Sequence, residues 1–327
     1  MNRGGTLLLA KGSGVADTVM RRVDKGRCGM LRSATVRDAI FRFGASLGLP
    51  AFQRQLSVCA IFKNEAPYLD DWLTFHEGVG VEHFYLYNNE SEDGFREVLA
   101  PWIAAGKVTL TDWPGVAVQI NAYRHCLQRA RYRTRWIAFI DLDEFLFSPS
   151  GKPLPEALKP YTACTAIFVY WWLYGSSGHV DRPSLPVPEA FTWRYDFELG
   201  GQHQLGVTTG RPVQGKCIVN PRKVRHMGVH HPADVDDGIF DEKFRLSPAG
   251  TASRERHTTE VLRINHYWAR SIQDLRDKTA RGRASIAKQK NFDAMVAWDR
   301  QINCVEDKII IPIWERIRDR RRSAGRP

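Results

Sequence analysis

Two carboxylates at the end of an apolar run carry the clearest chemistry in this chain of 327 residues: Trp136-Ile-Ala-Phe-Ile-Asp141-Leu-Asp143-Glu144-Phe145. Read as a buried strand, the run alternates its side chains with period two, which predicts Asp141 and Asp143 on one side of the chain at the strand's carboxyl end. Two anionic groups so placed repel each other and need a cation or a hydrogen-bond network as an offset. A hard divalent ion, Mg²⁺ or Mn²⁺, held by one or two carboxylates and shared with a diphosphate, meets that need. A diphosphate that leaves during a reaction also needs positive charge nearby. Lys278, Arg281 and Arg283 follow Ser271-Ile-Gln-Asp274, a capping-box pattern that predicts a helix from about 271.

The elements that must position these residues are legible upstream. Leu56 to Phe62 is a short apolar run, and Leu69, Trp72, Leu73 and His76 then fall at i, i+3, i+4 and i+7, the spacing of a helix face. Val81–Tyr87 reads as a second strand, Phe95–Ala105 as a helix and Val108–Trp113 as a third strand. Ile120, Tyr123, Leu127 and Ala130 mark another helix, and Trp136–Ile140 is the fourth strand. Alternating strands and helices predict an α/β fold, a doubly wound, mostly parallel sheet with helices on both faces. Ligands of such sheets bind beyond the carboxyl ends of the strands, here after Phe62, Tyr87 and Ile140. The second half is loop-rich, with Pro and Gly clusters, as befits a variable substrate site.

Composition excludes several classes. With 43% hydrophobic and 25% charged residues the chain is globular rather than disordered. The longest uncharged apolar run, about 166–174, is too short to span a bilayer, and Leu7–Ala10 is too short for a signal-peptide core. The net charge of +11 is uneven: residues 1–50 contribute +6, residues 314–327 contribute +4, and the remainder only +1. Basic ends on a neutral body predict no nucleic-acid groove, but weak peripheral attraction to an anionic membrane surface. Six cysteines without a CxxC spacing read as buried thiols of a reducing, cytoplasmic compartment.

An Asp-x-Asp at a strand end occurs in haloacid-dehalogenase phosphatases, where the first Asp is the nucleophile. Their motif continues differently from Phe145 and normally sits on the first strand. Glycosyltransferases of the GT-A type place it after a nucleotide-binding βαβα half, as here. The chain resembles glycosyltransferase family 92 and its bacterial, family-2-like relatives over roughly 56–285. The resemblance rests on Lys63-Asn64-Glu65, Tyr68-Leu69, Trp72-Leu73, Tyr87-Asn88-Asn89-x-Ser91-x-Asp93, Gln119, Tyr123, Cys126 and Asp141-x-Asp143-Glu144-Phe145. It continues through Trp172, Gly175-Ser-Ser-Gly178-His179, Lys216 to Pro221, Gly228-Val229-His230, His266-Tyr267, Arg270-Ser271, Lys278 and Arg281-Gly282.

Residues 1–50, rich in Gly, Arg and Ser, read as a basic, partly ordered arm and 291–327 as a helical segment with a basic tail, and the resemblance implies a GT-A fold between them, with a nucleotide-binding half over 51–150 and an acceptor and diphosphate half over 151–290. It implies nucleotide contacts from Lys63, Glu65, Asn89, Asp93, Gln119, Asp141, Lys278 and Arg281. The metal would sit on Asp141, Asp143 and His266, with His230 as the rival of His266. On the acceptor side it implies Trp172, Ser176, His179 and His230. The expected function is metal-dependent transfer of a sugar, galactose by family analogy, from a UDP-sugar to a hydroxyl of a glycan or glycoconjugate with inversion. A carboxylate must then act as base, and Asp196, Glu198, Asp234, Asp236 and Asp237 are all open to it. The competing readings are a phosphatase or phosphotransferase with Asp141 as nucleophile, and a non-catalytic sugar-nucleotide or glycan binder.

Overall fold

The computed structural model describes residues 52–196, 215–247, 256–281 and 291–325. The apolar run becomes strand β1 (Arg54–Phe62), and the helix-spaced residues are the buried face of α1 (Ala66–Gly78). β2 (His83–Asn88), α2 (Phe95–Ala104), β3 (Val108–Asp112), α3 (Gln119–Ala130) and β4 (Thr134–Phe139) follow within about two residues of the expected bounds. These four strands pair in parallel in the order β3-β2-β1-β4, and the register Phe62–Asn88–Asp112 brings three carboxyl ends level. β1 is covered on both faces: Leu56, Val58 and Ala60 join one buried cluster, Cys59 and Ile61 another. A central parallel strand has this pattern because helices lie on either side of it.

The chain then changes character. β5 (Glu144–Phe147) starts directly after the aspartate turn, followed by α4 (Leu154–Ala157) and the long strand β6 (Ala166–Tyr174). Next come α5 (Val187–Ala190), β7 (Trp193–Arg194), β8 (Gly215–Val219), β9 (Ile239–Phe240) and β10 (Arg263–Tyr267). β8 is antiparallel to both β4 and β6 and lies between them, while β10 runs parallel to β6 and antiparallel to β5. Gly215 is required at the start of β8, because a Cβ there would lie 2.1 Å from the Val169 carbonyl oxygen. These pairings carry Lys216 to the carboxyl end of β4 and set His266 opposite Glu144.

The capping box forms as expected: Asp274 N donates to Ser271 Oγ and Ser271 N to an Asp274 carboxylate oxygen, opening α6 (Ile272–Arg281). α7 (Phe292–Ile302), β11 (Val305–Glu306) and α8 (Ile311–Ser323) complete the chain. Part of the C-terminal basic segment is not the solvated tail that its charge suggests. Ile313, Trp314 and Ile317 are buried, Arg318 pairs with Glu189, and Arg321 donates to Thr74 and lies over the Trp102 ring. Among the described residues no helix is long and apolar enough to cross a membrane.

Candidate functional site

Asp143 lies on the turn between β4 and β5 and meets two groups from the far end of the chain. Its Oδ2 accepts from Lys278 Nζ at 2.6 Å, and its Oδ1 is 3.6 Å from His266 Nε2. Burial alone would raise the carboxyl pKa, yet Lys278 and then His266 hold it well below the usual range, so Asp143 is an anion. Burial lowers the His266 pKa against the pull of Asp143, which favours the neutral imidazole that can ligate a metal.

Asp141 belongs to a different environment. The two aspartates sit on a turn rather than within a strand, so period-two alternation does not hold them on one face. Asp141 Oδ1 accepts from Gln119 Nε2 and Tyr123 Oη, and Oδ2 accepts from Lys216 Nζ at 2.9 Å. Lys216 also donates to the Val229 carbonyl and its side chain is 1% exposed. Despite that burial, Asp141 and Glu144 keep it charged. The expected ligand Asp141 and the expected nucleotide contact Gln119 are thus hydrogen-bonded to each other, and Asp141, 33% exposed, also to Lys216.

Beside Asp143 opens a cleft of about 620 Å³. One wall is the loop after β1, Lys63, Asn64 and Glu65, with Tyr68 and Asp93; the other is Arg270, Arg182, Asp274, Asp277 and Lys278. Asp93 Oδ2 accepts from Ala66 N at the start of α1, and its Oδ1 is buried without a partner among the described residues. Arg270 crosses the floor, donating to Glu65 at 2.5 Å and to the Leu142 carbonyl at 2.8 Å, and stacks 3.9 Å from the Tyr68 ring centre. It does so with a left-handed backbone, φ 52°, an unfavourable conformation of about 1–3 kcal/mol held by these bonds. The guanidinium therefore ties the loop after β1 to the aspartate turn.

Of the expected contacts, Lys63, Glu65, Asp93, Asp143 and Lys278 line this one cleft, and Asn89, Gln119 and Asp141 do not. Asn89 instead donates its amide to the carbonyls of Trp113 and Gly115. Arg281 ends α6, but its side chain lies outside the described residues.

The acceptor residues are placed apart. The β6–β10 register puts Trp171, Ile264 and His266 on one face of the sheet, and Trp172, Tyr174 and Asn265 on the other. Trp171, not Trp172, therefore stands beside the site, its ring 4.4 Å from that of His266 and 5.6 Å from that of His230. Trp172 donates to Thr259 and carries the Arg194 guanidinium at 3.9 Å on the opposite face. Ser176 is bonded through N and Oγ to Asp299, and His179 Nε2 contacts the Ala190 carbonyl; both hold loops together.

The expected bases fare similarly. Asp196 pairs with Arg194 on the Trp172 face. Asp236 is exposed next to Asp237, which accepts from Thr165 at the opposite end of β6, about 16 Å along the sheet from Asp141 at ~3.3 Å per residue. Asp234 pairs with His226, and Glu198 lies outside the described residues.

The sequence model of glycosyltransferase family 92 matches residues 54–309. A glycosyltransferase family 92 protein of Ricinus communis is 35% identical over 220 residues, 65% of this chain and 35% of that protein. A galactan beta-1,4-galactosyltransferase of Arabidopsis thaliana is 26% identical over 148 residues, 41% of this chain and 30% of its own length. Glucosyl-3-phosphoglycerate synthase from Mycobacterium tuberculosis, solved with Mn²⁺, UDP and glucosyl-3-phosphoglycerate, aligns at 15% identity and a TM-score of 0.30 over 52% of this chain and 58% of that one. The chain spans about a quarter to a third of the length of curated relatives it matches.

Proposed function

The chain belongs to glycosyltransferase family 92, and from that premise we propose that it moves galactose from UDP-galactose to a hydroxyl of a glycan or glycoconjugate, with a divalent metal and with inversion. The observation that carries this reading is the single cleft lined at once by the loop after β1, Asp93, Asp143 and Lys278. In an α/β sheet this is where a nucleotide sits. Lys63, Glu65 and Asp93 would meet the nucleoside, since carboxylates and amines match ribose hydroxyls and the uracil edge. The galactosyltransferase relative supports the choice of sugar.

Among the described residues no three His, Cys, Asp or Glu side chains gather around one point. Asp143 and His266, 3.6 Å apart with an oxygen facing a nitrogen, nevertheless fit a hard ion that takes its remaining ligands from phosphate and water. Bound there, Mn²⁺ or Mg²⁺ supplies Lewis-acid neutralisation of diphosphate oxygens. Lys278 lines the same cleft and stabilises the negative charge that grows on UDP as the anomeric bond breaks. Trp171 offers its ring to the acceptor sugar, with His230 beyond it. Of the five candidate bases, Asp196 is paired with Arg194, Asp234 with His226, and Asp236 and Asp237 lie by Thr165 at the far end of β6, so Glu198 is the one we propose; it would take the hydroxyl proton as the oxygen attacks.

A phospho-aspartyl mechanism would start from Asp141, which does not line the cleft that Asp143 and Lys278 share. The test is turnover: UDP-galactose with Mn²⁺ should release UDP faster than UDP-glucose does, and a galactan oligosaccharide should accelerate release. Hydrolysis of a phosphomonoester with no UDP release would overturn the assignment.

A further inference from the structure

Outside its two basic ends the chain has a net charge of only +1, but the cations of that body are not evenly spread. Residues 113–140 contain five arginines and residues 215–233 four Lys or Arg, and neither segment holds an Asp or Glu. The fold brings the two segments together. Arg131 donates from Nε and Nη2 to the Pro221 and Val224 carbonyls, each at 3.2 Å, and Val224 and Met227 share a buried cluster with Tyr123, Cys126 and Leu127 of α3. Both segments thus cover the Cys59 side of the sheet, and what they turn outward belongs to one surface.

Arg124, Arg129, Arg133 and Arg225 are exposed there, and none of them has an ion pair among the described residues. Acids that border the patch are engaged: Glu90 accepts from Gly115 N, Asp234 pairs with His226 and Asp237 with Lys223. Like charges grouped without counterions repel one another, and an anionic partner removes that cost. The loop 113–118 and the first turn of α3 add an apolar tip, where Val116 is 73% and Ile120 45% exposed. Ile120 and Arg124 are one helical turn apart, so tip and arginines continue along one face of α3. The boundary between head groups and acyl chains of a bilayer gains by taking in such aliphatic side chains. Nucleic acid shares the negative charge, but its bases stack on aromatic rather than aliphatic groups.

We propose that this surface docks on an anionic phospholipid bilayer, with Arg124, Arg129, Arg133 and Arg225 against the head groups and Val116 and Ile120 entering the boundary with the acyl chains. Docking of this kind is independent of the reaction assigned above. It also differs from attraction through the basic ends, because the binding surface is part of the folded body. Flotation of the full chain with vesicles of phosphatidylcholine and phosphatidylglycerol, about 3:1, against vesicles of phosphatidylcholine alone tests it. The unaltered protein should bind the anionic vesicles and not the neutral ones. An arginine near the surface strengthens binding about fivefold, so Arg124→Gln/Arg129→Gln/Arg133→Gln should weaken it about 100-fold. Val116→Ser/Ile120→Ser should weaken it about tenfold while leaving its salt dependence as in the unaltered protein, since these side chains carry no charge.

All five changed residues are exposed, and the melting temperature should stay as in the unaltered protein. Unchanged vesicle binding by the triple arginine variant would assign the attraction to the basic ends and overturn the proposal. Binding lost in that variant but kept by Val116→Ser/Ile120→Ser would mark a purely electrostatic surface, one that suits any polyanion, and would overturn it as well. So would failure of the unaltered protein to bind the anionic vesicles. Should the triple variant not fold, Arg124→Gln and Arg129→Gln singly decide, at about fivefold each.

Discussion

Asp141 and Asp143 are two residues apart, and each accepts from one lysine, yet the two ion pairs are built for different ends. Lys216 is 1% exposed and its partner Asp141 also holds Gln119 and Tyr123. Lys278 is 23% exposed, and Asp143 keeps an oxygen turned to His266 beside an open cleft. A pair anchored on a buried lysine fixes geometry, because pulling the lysine away would strand its charge, even though Asp141 itself is 33% exposed against 13% for Asp143. A pair at the rim of a cleft can exchange its partner for a phosphate. Equal residue types at close spacing thus enter two different environments, and the difference comes from which strand passes each of them.

The largest effect should come from breaking the closed pair. Lys216→Met leaves Asp141 and the buried Glu144 uncompensated and should cost about 3–5 kcal/mol in urea unfolding. A loss near zero would show that the pair is not structural, and the contrast between the two aspartates would collapse. On the open side, Lys278→Ala should lower turnover about 10²–10³-fold with a small change in donor KM, since the charge it meets develops in the transition state. A rise in KM with turnover unchanged would place Lys278 in ground-state binding only.

Acid separates loss of fold from loss of site. Burial lowers the His76 pKa to about 3 from its ordinary 6.5, where it sits deep in the core with Trp72 O and Leu146 N as partners. Between those values the unfolded chain binds a proton that the native state refuses, so stability is full above pH 6.5 and falls as pH drops. From pH 6.5 to 5 this residue alone should remove about 2 kcal/mol, at about 1.4 kcal/mol per pH unit. Urea midpoints across that range check it; a flat profile would mean that His76 is free to charge.

The smallest effect concerns the ends. Deleting residues 1–50 should weaken binding to anionic vesicles, at about 1 kcal/mol per Lys or Arg near the surface. Cutting at 318 should instead destabilise the protein, because Arg318 and Arg321 are packed on the body.

Much of the first half was legible because its signals are local. Helix spacing at Leu69–His76 and the Ser271–Asp274 box depend on residues a few positions apart, and both formed as read. The candidate site was legible where a strand end meets a loop, in so far as Lys63, Glu65, Asp93 and Asp143 line one cleft. What escaped the sequence is non-local. Lys216 reaches Asp141 only because β8 inserts between β4 and β6, and nothing near position 216 announces a partner 75 residues away. The choice of Trp171 over Trp172 follows from the β6–β10 register, which no run of residues encodes. Period two failed at Asp141 because the strand had already ended at Phe139. Arg270 did carry a signal, its place beside the Ser271 cap, but its reach to Glu65 did not.

The account turns on Asp143 and His266 holding a metal that Asp141 does not. Calorimetric titration of UDP into the protein with and without Mn²⁺, repeated on Asp143→Asn and Asp141→Asn, tests this most directly. The unaltered protein should bind UDP at least 10-fold more tightly with Mn²⁺, Asp143→Asn should lose that enhancement, and Asp141→Asn should keep most of it while melting at a lower temperature. An enhancement lost equally in both variants, or absent from the unaltered protein, would contradict the account.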